Sequence, residues 1–191
     1  MYDVKPEVLR QPDIGLRTMA SAEFSLVREK ILEHRLLSDL ALVMLGRGVE
    51  MDVLRSEFDA HGHEVVLEAA GVMRHVQLKA TVHDGKGSAV IINSKLSSKP
   101  SGCVIWSTYD RETLDITSYR WLGAPPGQPL TSLGERLARR VRGNAQGFKA
   151  QMPGHRVVAK GRFERLLVSI GVQTGPLLGR DRRRKGTLTQ F

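Results

Sequence analysis

The chain has 191 residues, 41% of them hydrophobic, which is enough apolar material for one core and too little for two. No run of about 18 apolar residues occurs, which excludes a membrane-spanning helix, and the opening segment, mixed in acids, bases and prolines, does not read as a secretory leader; the expectation is a cytoplasmic protein. The formal net charge of +9 is unevenly spread, with 15 Lys and Arg against 17 Asp and Glu over residues 1–130 but 14 against 3 over residues 131–191.

A basic C-terminal third suits a polyanion, and nucleic acid is the expected partner, with DNA favoured over RNA. The run Arg180-Asp181-Arg182-Arg183-Arg184-Lys185 reads equally well as a solvated tail. The organisation expected is a flexible arm over 1–19, one domain over 20–172 that includes a basic helical part, and a basic irregular tail over 173–191. The sequence leaves homodimerisation open.

In chain order, Phe24, Val27, Ile31, Leu32, Leu36, Leu40, Val43 and Met44 recur at helical spacing, which predicts a helix over Ser21 to Leu45, capped by Ser21 and stopped by Gly46 and Gly48. Strands are predicted at Val49 to Arg55, Glu64 to Glu68, Met73 to Thr81, Ala89 to Asn93, Cys103 to Tyr109 and Leu114 to Leu122, each rich in β-branched or aromatic residues between breakers. A second helix is predicted from Ser132 to Phe148, with Arg136, Arg139, Arg140 and Arg142 as its nucleic-acid-binding side, and a short third helix from Phe163 to Ile170. The lone Cys103 sits in an apolar run and reads as a buried structural thiol. Trp106 and Trp121 read as core.

The segment Glu64 to Lys79 predicts a β-hairpin turning at Ala70-Gly71, in which paired residue numbers sum to 141. That register gathers Val65, Leu67, Val76, Leu78 and Ala80 on an apolar face, and Glu64, Glu68, His75, Gln77 and Lys79 on the other. Glu64 then faces Gln77, with Lys79 two residues further on, so that a carboxylate, an amide oxygen and an ammonium converge. Oxygen donors of this kind suit Mg²⁺ or Mn²⁺, and Asp59 and Glu33 offer further carboxylates. His61, His63 and His75 lack the further ligands that zinc requires at a recognisable spacing.

An acid on one strand, a short hairpin and then Gln77-Leu78-Lys79, all preceded by a helix, resembles the signature of the PD-(D/E)xK nuclease superfamily, with a QxK variant of its second motif. The resemblance covers residues 21–109. It implies an α/β fold, a restriction-endonuclease-like mixed β-sheet core flanked by helices, although Ser94 to Ser101 leaves little room for its crossover helix. It further implies a metal-dependent nuclease that hydrolyses phosphodiester bonds, in which Glu64 and Gln77 bind the metal, Lys79 positions or activates the attacking water, and Glu33 assists. Asp59 is an alternative metal ligand to Glu64. The competing expectations are an inactive nucleic-acid-binding module of the same fold, and an interaction subunit with a basic tail.

Overall fold

The computed structural model describes residues 21–56, 62–130, 132–143 and 145–166. The one helix among them, α1 (Ser25–Leu45), follows a 3-10 turn at Ala22–Phe24 and buries Leu32, Leu36, Leu40 and Met44 of the expected stripe together with Leu37, whereas Phe24 and Val27, expected on the same stripe, are exposed. The expected Ser21 cap is not made: Ser21 stands at the cap position of the 3-10 turn, but its side chain accepts no capping bond. The far end closes through Gly48, whose φ of 71° is left-handed, while the Val49 N–H donates to the Met44 carbonyl.

Strands β1 (Met51–Arg55), β2 (Val65–Ala69) and β3 (Val72–Val82) form an antiparallel meander. The hairpin pairs Val65 with Val76, Leu67 with Arg74 and Ala69 with Val72, the register that the division of faces demands. Ala70 and Gly71 have φ of 51° and 76°, the sign pattern of a type I′ turn, whose twist matches that of the strands.

β3 outruns β2 and continues in parallel with β5 (Gly102–Tyr109). Parallel neighbours require a crossover, and here it consists of a short strand, β4 (Ala89–Asn93), and a 3-10 turn at Ser94–Ser98. The remaining strands are β6 (Ile116–Gly123), β7 (Leu137–Arg139), β8 (Gln151–Ala159) and β9 (Glu164–Leu166). They complete a six-stranded mixed sheet ordered β1-β2-β3-β5-β6-β9 and a three-stranded sheet ordered β4-β8-β7. The protein is therefore mixed α/β, with a core made mostly of sheet.

Alternation along β5 explains how both faces of the large sheet are buried. Cys103 and Ile105 join Val65, Leu67, Val76, Tyr119 and Trp121 beneath the leucines of α1, whereas Val104 and Trp106 join Val90, Ile92 and Val158 of the small sheet. Polar contacts also tie α1 to this side of the molecule: the Tyr119 hydroxyl of β6 donates to Asp39 at 2.6 Å, and Arg35 pairs with Asp115 just before β6. Burial pushes the Cys103 thiol well above its ordinary range, as suits a structural residue.

Among the described residues, neither of the two further helices predicted is formed. Over the described part of 132–148 the chain forms β7 and loops, because Gly134 and Gly147 adopt φ of 84° and 78° and the periodic apolar residues do not share a face: Leu133 is buried while Val141 is exposed. The third helix is replaced by β9 as far as Leu166, and 167–170 lie outside the described residues. β8 had no prediction at all, since Pro153 and Gly154 interrupt its pattern. No helix among the described residues is long and apolar enough to cross a membrane.

The packing of α1 makes a direct prediction. Leu36→Ala should cost about 2–5 kcal/mol, whereas Leu45→Ala, at an exposed position of the same helix, should stay within about 0.5 kcal/mol. Urea unfolding of both variants checks this, and equal effects would mean that α1 does not cover the sheet.

Candidate active site

The geometry of the site follows from the end of a ladder. β2 starts at Val65, so the segment of β3 beyond Val76 has β5 on one side and no strand on the other. A buried or half-buried N–H on that bare side needs an acceptor. Glu64 supplies it: its backbone N–H still donates to the Val76 carbonyl at 2.9 Å, and its carboxylate Oε2 accepts from the Leu78 N–H at 2.6 Å.

Across from this point, α1 presents Glu33, which is 7% exposed. Lys30 Nζ lies 2.7 Å from one of its oxygens and Arg55 Nε, from β1, 2.9 Å from the other. Burial alone would push the Glu33 carboxyl up, but the hydrogen bonds and charges of Lys30 and Arg55 outweigh it and hold the group below its ordinary value of 4.5. Glu33, Glu64 and Lys79 line one cavity of about 350 Å³, together with Lys30, Leu78 and Ser107.

Gln77 is not part of this group. It is buried, and its Oε1 accepts from the Asn93 N–H of β4 at 3.2 Å, on the side of β3 that faces the small sheet. The expected direct pairing of Glu64 with Gln77 is therefore replaced by the Glu64 to Leu78 contact, because the ladder ends one residue earlier. Lys79 alternates to the Gln77 side of the strand and sits opposite Trp106 in the ladder, yet it forms a wall of the cavity where β3 is bare. Asp59 and His61 lie outside the described residues. Ala80, expected on the apolar face, is exposed at the same bare edge.

The donor chemistry fits a hard divalent cation held by Glu64 and Glu33, since such ions accept one or two carboxylates and keep several waters. Among the described residues no group of three or more His, Cys, Asp and Glu is placed to hold a metal. His63 and His75 meet edge to face with ring centroids 4.9 Å apart, and His75 Nδ1 lies 2.8 Å from the Pro100 carbonyl oxygen.

The four arginines proposed for nucleic acid occupy a hairpin and not a helix. Arg136 and Arg139 border a second cavity of about 520 Å³ with Glu135 and Gln151, and Arg140 and Arg142 are exposed in the connection from β7 to β8. Arg74 was missed, although the 141 register places it opposite Leu67 on the apolar face. It is 1% exposed, donates from Nη1 to the Ala124 carbonyl at 2.7 Å and stands 5.1 Å from the centre of the Trp121 ring. Burial lowers its pKa. Arg55, the long-range partner of Glu33, was missed as well, and no local spacing announces it.

No family model, no curated protein and no solved structure matches this chain.

Because the carboxyl of Glu33 is held below its ordinary value in the folded state, its ion pairs stabilise the fold fully above the usual carboxylate range and lose that effect as pH falls through the lowered value. Arg55→Ala removes one cation and leaves the burial, so Glu33 should titrate at higher pH than in the wild type. Carboxyl-carbon NMR titration reads this directly, and an unchanged titration would exclude Arg55 as its counterion.

Proposed function

We propose that the protein is a metal-dependent nuclease of the PD-(D/E)xK type that hydrolyses phosphodiester bonds in nucleic acid, with DNA favoured over RNA. The observation that carries this reading is that Glu33 of α1, Glu64 just before β2 and Lys79 of β3 line one cavity beside the bare edge of β3. A helix, a three-stranded meander and then a strand parallel to the third agree with a restriction-endonuclease-like core.

In this reading Glu64 and Glu33 hold the cation, which when bound acts as a Lewis acid toward water and phosphate. Lys79 borders the same cavity, and in this reading its ammonium neutralises a phosphate oxygen or orients the attacking water through its N–H groups. Gln77 acts through the fold, fastening β4 to β3 beside the site. Asp59 remains the third candidate carboxylate, and the basic hairpin carrying Arg136, Arg139, Arg140 and Arg142 holds the strand.

One observation favours a second reading, a nucleic-acid-binding module without catalysis. Both carboxylates have intramolecular partners, Glu33 through Lys30 and Arg55 and Glu64 through the Leu78 N–H, which compete with any metal.

The test is cleavage of labelled single- and double-stranded DNA and RNA with Mg²⁺, Mn²⁺ or EDTA. Glu64→Gln keeps an acceptor for Leu78 while removing the charge, and Lys79→Ala removes the ammonium; each should lower metal-dependent cleavage by about 100-fold or more. Wild-type protein that binds in a salt-sensitive way but cuts nothing would leave the binding module as the function.

A further inference from the structure

The face of the large sheet that carries Trp106 also carries a row of positive charge. In the ladder Lys79 of β3 stands beside Trp106 of β5, Trp106 pairs with Arg120 of β6, and Arg120 pairs with Arg165 of β9. Paired residues share a face, so the four belong to one row. Lys160 joins it from the 3-10 turn after β8, with Nζ 6.0 Å from the centre of the Trp106 ring. The next row along the same face holds Thr108 and Ser118, both half-buried. Glu164, the acid beside Arg165 in the chain, pairs with Trp121 and so stands on the opposite face.

Among the described residues, no carboxylate lies within salt-bridge distance of Arg120, Arg165 or Lys160. Arg120 and Arg165 are directly opposed, an arrangement that costs free energy when both side chains carry the same charge. Arg120 is also half-buried, and its Nε is shielded from solvent without a hydrogen-bond partner. Partial desolvation of an uncompensated guanidinium strengthens its attraction for an anion. The end of the chain around β9 is anchored by Phe163 and Leu166, which enter the two cores, and an exposed cation at position 165 adds nothing to that anchoring.

We propose that this row is a seat for the phosphodiester backbone of nucleic acid, in which Arg120 and Arg165 share one phosphate and Lys160 meets a neighbouring one. Each guanidinium can donate to one of the two non-bridging oxygens of the shared phosphate, and the anion between them removes the repulsion of the pair. The proposal rests on the nucleic-acid reading above and adds a path for the strand. Lys79, which borders the candidate active cavity, stands in the same row, and two strand spacings, about 10 Å, separate its backbone from that of Arg120. The hydroxyls of Thr108 and Ser118 offer further donors to phosphate oxygens, and contacts of this kind position a strand without reading its sequence. Continuity with that cavity favours nucleic acid over an acidic protein segment.

The experiment is fluorescence anisotropy of a labelled DNA single strand, a DNA duplex, oligouridine and polyglutamate, in EDTA so that cleavage plays no part, with thermal melting in inorganic phosphate alongside. Arg165→Gln should weaken nucleic-acid binding about fivefold or more at low salt and lower the salt dependence by roughly one phosphate contact. Because it relieves the opposed charges, the same change should leave the melting temperature of the free protein unchanged or raise it, whereas loss of a structural residue would lower it. Arg120→Gln should act alike, and the double variant should lose less than the product of the two single losses, since both arginines hold one phosphate. Arg47→Gln removes an exposed cation just beyond α1 and is the control for net charge, with little effect expected. Nucleic-acid binding by Arg120→Gln and Arg165→Gln that is no weaker than by Arg47→Gln overturns the seat and leaves the nucleic-acid reading standing. Absence of wild-type binding to all three nucleic acids overturns both readings, as does Arg165-dependent binding of polyglutamate or inorganic phosphate alone.

Discussion

A difference in length between two neighbouring strands governs the rest of the structure: β3 has 11 residues and β2 has 5. The turn at Ala70-Gly71 pins one end of the hairpin, so the whole excess falls at the other end, where β3 is flanked by β5 alone. A strand with one bare edge must satisfy its outward N–H groups or lose free energy for each. Glu64 does so for Leu78 with a charged acceptor, which makes a stronger hydrogen bond than a carbonyl. The same missing neighbour leaves room for the cavity, and it brings the carboxylate of Glu64, the stem of Lys79 and the buried face of α1 to a common space. The site thus arises from an unfinished ladder.

The ion pairs around Glu33 are asymmetric in solvation. The carboxylate is 7% exposed, whereas Lys30 and Arg55 are 66% and 49% exposed. Desolvation therefore falls on the acid, and its two partners reach it from the solvent side. A buried charge left without compensation is costly, so some cation must always accompany Glu33. The side chains that do so here are long, flexible and half in water, and they can retreat to solvent at small cost when another cation takes their place. This is the physical condition for a site that is ion-paired at rest and metal-binding on demand, and it reconciles the proposed activity with carboxylates that already have partners.

Strong periodicity made α1 and β1 to β6 legible, because in each the apolar pattern and the breakers agree. The hairpin register was legible for the same reason, since only a sum of 141 separates Val65, Leu67 and Val76 from Glu64, Gln77 and Lys79. The C-terminal part was misread because Leu133, Leu137 and Val141 happen to stand four apart; the competing glycines, two of them left-handed, decide the outcome. Arg74 was visible in the register but contradicted its own polarity, and it is accommodated by the Ala124 carbonyl and the face of Trp121. The Arg55 to Glu33 pair joins β1 to α1 across 22 positions, a tertiary contact that no local pattern encodes.

The glutamine at position 77 has a reason that lies in packing. β3 is shared by two cores: Val76 and Leu78 look toward α1, and Gln77 looks toward the small sheet beside Val104 and Trp106. A carboxylate at position 77 would place its charge under that second apolar layer, 4% exposed and with a backbone N–H as its available donor. A neutral amide makes the same bond to Asn93 without the desolvation penalty of an ion. The two acids of the proposed site, Glu33 and Glu64, therefore border the cavity without Gln77, and Lys79 is the cation of β3 that borders it with them. Glu33, Glu64 and Lys79 border one cavity where β3 is bare, so the end of the β2 ladder is what opens the proposed site.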